Sequence, residues 1–282
     1  MILYKKAAAL SAYLAKIRQQ GNRIGFVPTM GALHQGHISL VQASKKINDL
    51  SVCSIFVNPA QFNDKQDFEK YPSTIEQDID QLEKAGCDIL FMPSVAEMYP
   101  QGTIDAEHYP LGYLETVLEG EFRPGHFQGV CLVVHRLLDI VQPHELFLGQ
   151  KDYQQCMVIK KLIELKKSNC ALHICPTLRE NDGLAMSSRN VRLSAKDRAR
   201  APKIYETLTD IKTNLQTGDL NQLKKRAAQK LTDGGFTVDY IEIANADNLE
   251  ILESWNGETK LTALAAAFLG DVRLIDNLLL AD

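Results

Sequence analysis

The first two-thirds of the chain alternate short apolar runs with longer amphipathic segments. The apolar runs include IGFVP at 24–28, LSVCSIFVNP at 50–59 and ALHICP at 171–176. Between them lie segments such as HISLVQASKKI at 37–47, whose apolar residues recur at helical spacing. Apolar strands that alternate with amphipathic helices are typical of a parallel sheet covered by helices on both faces. The pattern therefore predicts an α/β fold for this part of the chain.

Helix boundaries in this part are marked by capping residues. The segment at 73–88 predicts a helix that begins after Ser73 or Thr74 and ends near Gly86. At the N-terminus, Leu10, Leu14 and Ile17 share one face of an amphipathic helix.

The pattern changes near Ser194. Two helical segments follow one another, SAKDRARAPKIYETLTDIKTNLQTG and LNQLKKRAAQKLTDGG. Three strand-like runs come next: FTVDYIEIAN, LTALAAAFLG and VRLIDNLLL. Helices followed by strands predict a small α+β domain with antiparallel strands. The boundary is expected between about 176 and 193, which gives domains at 1–180 and 181–282.

Composition limits the classes of protein that the chain can represent. Its 282 residues are 45% hydrophobic and 23% charged, with a formal net charge of −4, as in a globular protein. Basic residues are scattered, so no nucleic-acid partner is expected. The apolar runs are far shorter than the ~20 residues that a spanning helix needs, so no membrane association is expected. Six cysteines lie mostly in apolar runs and form no C-x-x-C pair, which indicates buried thiols and a cytoplasmic location.

Polar segments follow several of the predicted strands, where ligands bind in parallel sheets. The first is PTMGALHQGH at 28–37, which places His34 and His37 three residues apart at a predicted helix start near His37. Open N–H groups at a helix N-terminus attract phosphate, and each imidazole can donate a further hydrogen bond. A pair of capping histidines and a metal site are alternatives, although His-x-x-His alone is a weak metal signal.

Three further segments carry ligands suited to phosphates and small acids. In SIFVNPAQF, the amides of Asn58 and Gln61 suit hydroxyls or a carboxylate, although Asn-Pro is also a common turn opener. LGQKDYQQ contributes Lys151, which is either a point charge on phosphate or a solvent-exposed lysine in a tight turn. GLAMSSRN contributes two hydroxyls and the guanidinium of Arg189.

No protein nucleophile accompanies these groups. The sequence contains neither G-x-S-x-G nor a Walker A motif. A site of this composition would catalyse by positioning its substrates and by neutralising charge, as nucleotidyl transfer largely does.

Six segments together resemble one family. FVPTMGALHQGH, SIFVNPAQF, RPGHFQGV, GQKDYQQ, LAMSSRN and the terminal RLIDN are similar to the pantoate–β-alanine ligase family, within the HxGH/KMSKS-type nucleotidyltransferases. The resemblance implies a Rossmann-like nucleotide-binding domain followed by the small α+β domain, which would close over the nucleotide. It also implies a reaction in which ATP and pantoate form pantoyl adenylate and pyrophosphate. The amine of β-alanine then releases pantothenate, a coenzyme A precursor, and AMP.

The resemblance also implies residue roles. His37 is the expected proton donor, and it would neutralise phosphate charge together with His34, Lys151, Ser187, Ser188 and Arg189. Gln61 and Gln155 are expected to bind pantoate, assisted by the Met30 N–H group. The residues assigned to ATP binding are Met30, Gly31, Ala32, Leu33, His34, Gln35, Gly36, His37, Gly149, Gln150, Lys151, Asp152, Leu178, Met186, Ser187, Ser188 and Arg189.

Supporting groups and cofactors are implied less specifically. Tyr71, Arg123 and His126 are expected near the cleft in support and lid roles. Mg²⁺ is expected with ATP, but its ligands are unknown; Asp78 is either an acidic contact or a surface residue of its helix. A homodimer is also expected.

The chain departs from the expected pattern at three positions. Met186 stands where the wider superfamily has lysine, so that role would fall to Lys151. Arg192 replaces an expected aromatic residue, and Pro202 lies inside a helical pattern unless a helix begins there. Two other functions remain open: nucleotidyl transfer to a different acceptor, and an ATP-binding regulatory module without turnover.

Overall fold

The computed structural model describes residues 1–62, 68–69, 71–102 and 107–281. This part of the chain divides into two compact units. The first consists of Met1–Gly149 and Val158–Pro176, and the second of Gln150–Met157 and Thr177–Asp282.

The first unit contains a parallel sheet, as the alternating pattern predicts. Within the described residues the sheet has six strands in the order β1-β4-β3-β2-β5-β6, with every neighbouring pair parallel. The Rossmann-like expectation is therefore confirmed. The strand order reverses between β2 and β5, and ligands of such sheets bind where the carboxyl ends meet at that point. The strands are β1 Ile2–Tyr4, β2 Ile24–Thr29, β3 Leu50–Ile55, β4 Ile89–Phe91, β5 Glu145–Gly149 and β6 Ala171–Cys175.

Helices connect these strands, and their apolar faces pack on the sheet. One core cluster joins Val41 of α2 and Leu82 of α3 to Val27, Cys53 and Leu90 of the strands. The helices up to residue 165 include α1 Ala7–Gln19, α2 Gln35–Ile47, α3 Ile75–Lys84, α4 Val95–Met98, α5 Glu119–Phe122, α6 His126–Val141 and α7 Tyr153–Leu165, with short 3₁₀ turns at Pro59–Gln61, Gly112–Glu115 and Gln150–Asp152.

The capping signals at 73–88 located helix α3 correctly. Thr74 precedes α3, and Gly86 follows it with a φ of +76°, as expected for a glycine just past a helix end. Leu10 and Leu14 of α1 are fully buried. The short strand β1 was missed, because three residues ahead of a strong helical pattern carry little period-two signal.

The second unit is the predicted α+β arrangement. Its described residues form a three-stranded antiparallel sheet in the order β11-β10-β8 and a two-stranded sheet of β7 and β9. Helices α9 and α10 pack on the larger sheet through Leu208 and Leu231. The elements are α8 Ala195–Arg200, α9 Lys203–Thr213, β7 Gly218–Asp219, α10 Asn221–Asp233, β8 Thr237–Asn245, β9 Ser254–Trp255, β10 Leu261–Leu269 and β11 Val272–Ala281, with a 3₁₀ turn at Ser188–Arg192.

The segment at 194–218 forms two helices rather than the single helix that its periodicity predicts. Helix α8 ends at Arg200, and Pro202 caps the start of α9. Proline lacks the N–H that a helix interior requires, but it is well tolerated at a helix start. The unexpected proline therefore marks a new helix.

The thiols are mostly buried, as the sequence predicts. Cys175 is half-buried, the other five cysteines are buried, and none of the six, all of which lie in described residues, forms a disulfide. Burial raises the pKa of the Cys87 thiol to about 11. Among the residues that the structure describes, no helix is long and apolar enough to cross a membrane.

Candidate active site

The segment at residues 30–37, called the loop below, consists of the connection from β2 to α2 and the first turn of α2, and it lies where the sheet order reverses. Gly31 and Ala32 have φ values of +82° and +48°, so two consecutive residues adopt the left-handed region. A Cβ on Gly31 would lie 3.1 Å from both Asp78 Oδ2 and Ile55 Cγ2. Glycine thus meets both the backbone conformation and the close packing at this position.

Asp78 fixes the shape of this loop from inside. Its side chain is 1% exposed, and its carboxylate accepts the N–H of Ala32 at 2.9 Å and that of Leu33 at 2.8 Å. The hydroxyl of Thr74 donates to the same carboxylate at 3.0 Å. Successive N–H groups in such a turn form a concave anion site, and here the anion is Asp78. The interpretation of Asp78 as a surface residue is therefore wrong.

The two histidines cap the helix that follows. His34 Nδ1 accepts the N–H of Gly36 at 3.2 Å, and His37 Nδ1 accepts the N–H of His34 at 3.3 Å. The ring centroids are 4.1 Å apart. Because Nδ1 is an acceptor in both rings, the proton of each neutral imidazole lies on Nε2. Each ring is therefore held with Nε2 as its N–H donor.

This capping corrects the expected helix start. Helix α2 begins at Gln35 rather than near His37, with His34 as its N-cap residue. The N–H of His37 donates to the carbonyl oxygen of His34 at 2.8 Å. Most N–H groups of the turn are thus engaged by Asp78 or by the histidines. The loop therefore offers a ligand mainly side-chain donors rather than the open helix N-terminus that the sequence predicted.

Gln61 lies in the turn after β3 and is positioned by Asn58. Asn58 is 1% exposed, and its Nδ2 donates to Gln61 Oε1 at 3.1 Å and to the carbonyl of Gly129 at 3.0 Å. Its Oδ1 accepts the N–H of Ala60 and, at 2.7 Å, the hydroxyl of Tyr99. The amide of Asn58 therefore supports the turn and is not the direct substrate ligand that its strand-end position suggested.

The Gln61 amide faces the loop after β2. Its Nε2 lies 3.1 Å from Met30 Sδ, so two predicted site residues lie together. Because Asn58 donates to Gln61 Oε1, the orientation of the Gln61 amide is set, with Nε2 directed toward Met30.

The segment RPGHFQGV at 123–130 forms hydrogen bonds and close packing that support the same turn. His126 Nδ1 lies 2.7 Å from the carbonyl oxygen of Gln61 and donates to it, since a carbonyl can only accept. His126 Nε2 then accepts from the Arg123 guanidinium at 3.2 Å. A Cβ on Gly129 would lie 2.1 Å from the carbonyl oxygen of Ala60, so this glycine allows α6 to approach the turn.

A cavity of about 250 Å³ opens beside the loop, at the carboxyl ends of β2, β3 and β4. Met30 and Gly31 border it on one side, and Phe56, Thr74 and Pro93 border it on others. The first unit thus has space for a small organic molecule next to the loop.

In the second unit, Lys151 and Asp152 belong to the 3₁₀ turn Gln150–Asp152. Lys151 Nζ lies 3.8 Å from Asp152 Oδ2, and its side chain is 20% exposed. Gln155 follows in the first turn of α7 and is half-buried. Gly149, the last residue of β5, belongs to the first unit.

The remaining predicted ligands lie in the second unit on either side of the antiparallel bridge between Arg179 and Ala185. The N–H of Met186 donates to the carbonyl of Leu178 at 3.0 Å, which brings these two residues together. Ser187 caps the turn Ser188–Arg192 by accepting the N–H of Arg189 at 3.3 Å. One acceptor site of the Ser187 hydroxyl is therefore used by the backbone, while its proton can still be donated.

Sequence reasoning missed the residues that hold the site from a distance. Asp78 was ambiguous, and Tyr99 was not noticed, because neither follows a strand end. The only available signal for Asp78 was its helical spacing of four from Thr74 and of four from Leu82, which places it on the buried face of α3.

Comparison with known proteins identifies the family of the chain. The family model described as pantoate-beta-alanine ligase matches residues 2–279. The chain belongs to the pantoate–β-alanine ligase family. A pantothenate synthetase of Cytophaga hutchinsonii is 44% identical over 283 residues, which covers 99% of both chains.

Solved structures of the same family have the same fold. The crystal structure of the pantothenate synthetase from Thermus thermophilus matches with a TM-score of 0.92 and 38% identity over all of both chains. A pantoate-beta-alanine ligase from Francisella tularensis, solved in complex with beta-gamma ATP and beta-alanine, matches with a TM-score of 0.83 and 39% identity. That match covers 99% of this chain and 97% of the Francisella protein.

Proposed function

We propose that this protein joins pantoate and β-alanine to form pantothenate in an ATP-dependent reaction that passes through pantoyl adenylate. Pyrophosphate and AMP are the other products. Family membership over residues 2–279 supports the reaction, and the Francisella relative with ATP and β-alanine bound supports the substrates. The observation that carries the proposal is the pair of imidazoles, His34 and His37, each held by its Nδ1 so that Nε2–H is the donor.

The first step needs charge neutralisation rather than a protein nucleophile. A carboxylate oxygen of pantoate attacks the α-phosphorus of ATP, and the bond from that phosphorus to the bridging oxygen breaks. Pyrophosphate leaves with the electron pair, and a donor that reaches the developing negative charge stabilises the transition state. We assign this donor role to the Nε2–H group of His37, with His34, Lys151, Ser187, Ser188 and Arg189 as further phosphate ligands.

Pantoate is assigned to Gln61 and Gln155. The Nε2 group of Gln61 is directed by Asn58 and donates well to a carboxylate or hydroxyl. A held carboxylate attacks faster because its orientation is set before the reaction. The other predicted ATP contacts are Met30, Gly31, Ala32, Leu33, Gln35, Gly36, Gly149, Gln150, Asp152, Leu178 and Met186.

The second step is an acyl transfer. The neutral amine of β-alanine attacks the carbonyl carbon of the adenylate, the carbon–oxygen bond to the phosphate breaks, and AMP leaves. The amine nitrogen loses a proton as the amide forms.

The proposal includes Mg²⁺ bound with ATP, but no dedicated protein site for it. The described residues contain no group of three His, Cys, Asp or Glu that could hold a metal ion. Asp78 accepts three hydrogen bonds and does not fit as a direct ligand. Mg²⁺ commonly binds through substrate phosphates and water, and the residues present fit that mode.

A homodimer in the cytoplasm completes the proposal, on the strength of the family resemblance. Sedimentation equilibrium at several concentrations tests the dimer, and fractionation of the native host cells tests the location.

The decisive experiment supplies ATP, Mg²⁺ and pantoate, with and without β-alanine. Pyrophosphate release is expected to require pantoate, and AMP accumulation to require β-alanine as well. Pyrophosphate release with another acceptor, but not with pantoate, would instead support a different nucleotidyltransferase. ATP binding without turnover under any condition would support a regulatory module.

A further inference from the structure

The strand β11 contains a buried asparagine, Asn277, whose amide forms hydrogen bonds with the turn that carries Lys151. Asn277 is 2% exposed. Its Nδ2 donates to the carbonyl oxygens of Gln150, at 2.9 Å, and Lys151, at 2.8 Å. Gln150 Nε2 donates back to Asn277 Oδ1 at 3.2 Å. Both N–H groups and the oxygen of this amide are therefore used on one short turn.

The preceding residue anchors a second segment. The Asp276 side chain is fully buried and accepts the Arg179 guanidinium at 2.6 and 3.0 Å. Arg179 also donates to the carbonyl of Gly183 at 3.1 Å, and its guanidinium carbon lies 3.7 Å from the ring centroid of Tyr205. Successive strand residues point to opposite faces, so this dipeptide can hold two different segments.

The turn Gln150–Asp152 has a physical need for such a partner. A carbonyl oxygen can accept two hydrogen bonds, and buried carbonyl groups that lack partners are costly. Asn277 supplies two donors in a fixed geometry, which no aliphatic residue could do. Burial in a paired strand makes those donors rigid, because Asn277 lies opposite Leu264 of β10.

We propose that Asn277 is a positioning residue that holds Lys151 for the adenylation step. This inference rests on the proposed function, in which Lys151 is a phosphate ligand. Asn277 acts through the backbone of the turn and touches no substrate. A displacement of about 1 Å in a charged group is enough to lower a rate by about a hundredfold.

The test compares Asn277→Asp with wild type in both half-reactions. The carboxylate keeps the size of the side chain but repels the two carbonyl oxygens. We expect a fall of about a hundredfold in single-turnover pyrophosphate release and less than a threefold change in β-alanine attack on the preformed adenylate. Asn277→Ala, which removes the donors without repulsion, should fall about tenfold in the first step only.

Two measurements separate positioning from a purely structural role. In a Lys151→Ala background, Asn277→Asp should slow the first step by less than twofold further, since its effect acts through Lys151. Hydrogen exchange at residues 150–155 should accelerate in Asn277→Ala, with thermal melting used to confirm that each variant is folded. Asp239→Asn is the matched control: it removes the negative charge that accepts from Arg273 at 2.7 Å in the same sheet but does not touch the turn, so it should leave both steps unchanged.

The outcomes are distinguishable. Wild-type rates in Asn277→Asp, equal slowing of both half-reactions, or multiplicative effects with Lys151→Ala would each overturn the positioning role. Unchanged hydrogen exchange at residues 150–155 in Asn277→Ala would show that Asn277 does not hold the turn Gln150–Asp152, whatever the activity. A wild-type enzyme that releases no pyrophosphate with pantoate would reject the proposed function instead.

Discussion

The loop at residues 30–37 and the turn Gln150–Asp152 both follow a strand and both carry predicted phosphate ligands, yet they are held differently. The loop is shaped by Asp78, a charged group that binds its backbone N–H groups, and by its own histidines. The turn is held by a neutral amide that binds its backbone carbonyls. A carboxylate accepts hydrogen bonds from backbone N–H groups, as Asp78 does in the loop. An amide NH₂ group donates hydrogen bonds to backbone carbonyl oxygens, as Asn277 does in the turn. Each support is chosen by the polarity of the backbone atoms it meets.

The largest expected effect comes from removing the donor of the first region. His37→Ala should lower the rate of pyrophosphate release by about 10²–10⁴-fold, the usual contribution of a positioned proton donor. Thermal melting should show a folded protein. His108→Ala removes an exposed imidazole and serves as the control. A His37→Ala enzyme with a rate within threefold of wild type would remove His37 from its role.

The next effect tests the support of the loop. Asp78→Asn replaces a carboxylate oxygen with an NH₂ group, which cannot accept from both Ala32 and Leu33. We expect the free energy of unfolding to fall by about 2–4 kcal/mol, since hydrogen bonds to charged groups are strong and buried N–H groups lose their partner. Urea denaturation measures the change.

Asp80→Asn is the matched control for this prediction. Asp80 lies on the same helix, is exposed and pairs with Lys84 on the surface, so its loss should change unfolding by no more than about 0.5 kcal/mol. Equal effects of the two substitutions would show that Asp78 does not shape the loop.

A smaller effect is expected one contact further from the substrate. Tyr99→Phe removes the hydroxyl that donates to Asn58 and keeps the ring that packs edge-on against Phe56. The KM for pantoate should rise about three- to tenfold, the equivalent of one ordinary hydrogen bond, with little change in kcat. Tyr109→Phe, which removes another buried hydroxyl, should leave this KM unchanged. Equal KM values for pantoate in the two variants would show that the Tyr99 hydroxyl does not support the pantoate site.

The smallest effect belongs to a half-exposed pair, Asp182 and Arg198, elsewhere in the second unit. The hydrogen bond from Arg198 lowers the pKa of the Asp182 carboxyl, which also accepts the N–H of Leu184. A lowered carboxyl pKa gives stability that is present above the unfolded pKa, near 3.9, and is lost as the pH falls through the folded value. NMR titration should show the lowered pKa and its return toward 3.9 in Arg198→Gln, with activity at neutral pH changed less than twofold. An unshifted pKa in wild type would contradict the contact.

The sequence predicted the secondary structure of the two units better than it predicted the hydrogen bonds of the site. Sequence periodicity predicted the parallel sheet of the first unit and the antiparallel strands of the second, because these depend on the local alternation of apolar and polar residues. It predicted open N–H groups at the start of α2, which the capping by His34 contradicts. Local sequence identified the histidines but could not show which ring nitrogen each would use.

What the sequence by itself determined is the set of chemical groups: two imidazoles, a lysine, an arginine, two hydroxyls and two amides at strand ends, in an order typical of one enzyme family. What only the tertiary structure decided is how those groups are held. Asp78 is 46 residues from Ala32, and Asn277 is 126 residues from Lys151. Such pairings arise from burial and chain topology, since a buried backbone group must find a partner wherever the fold brings one. Short-range pattern carries no record of them.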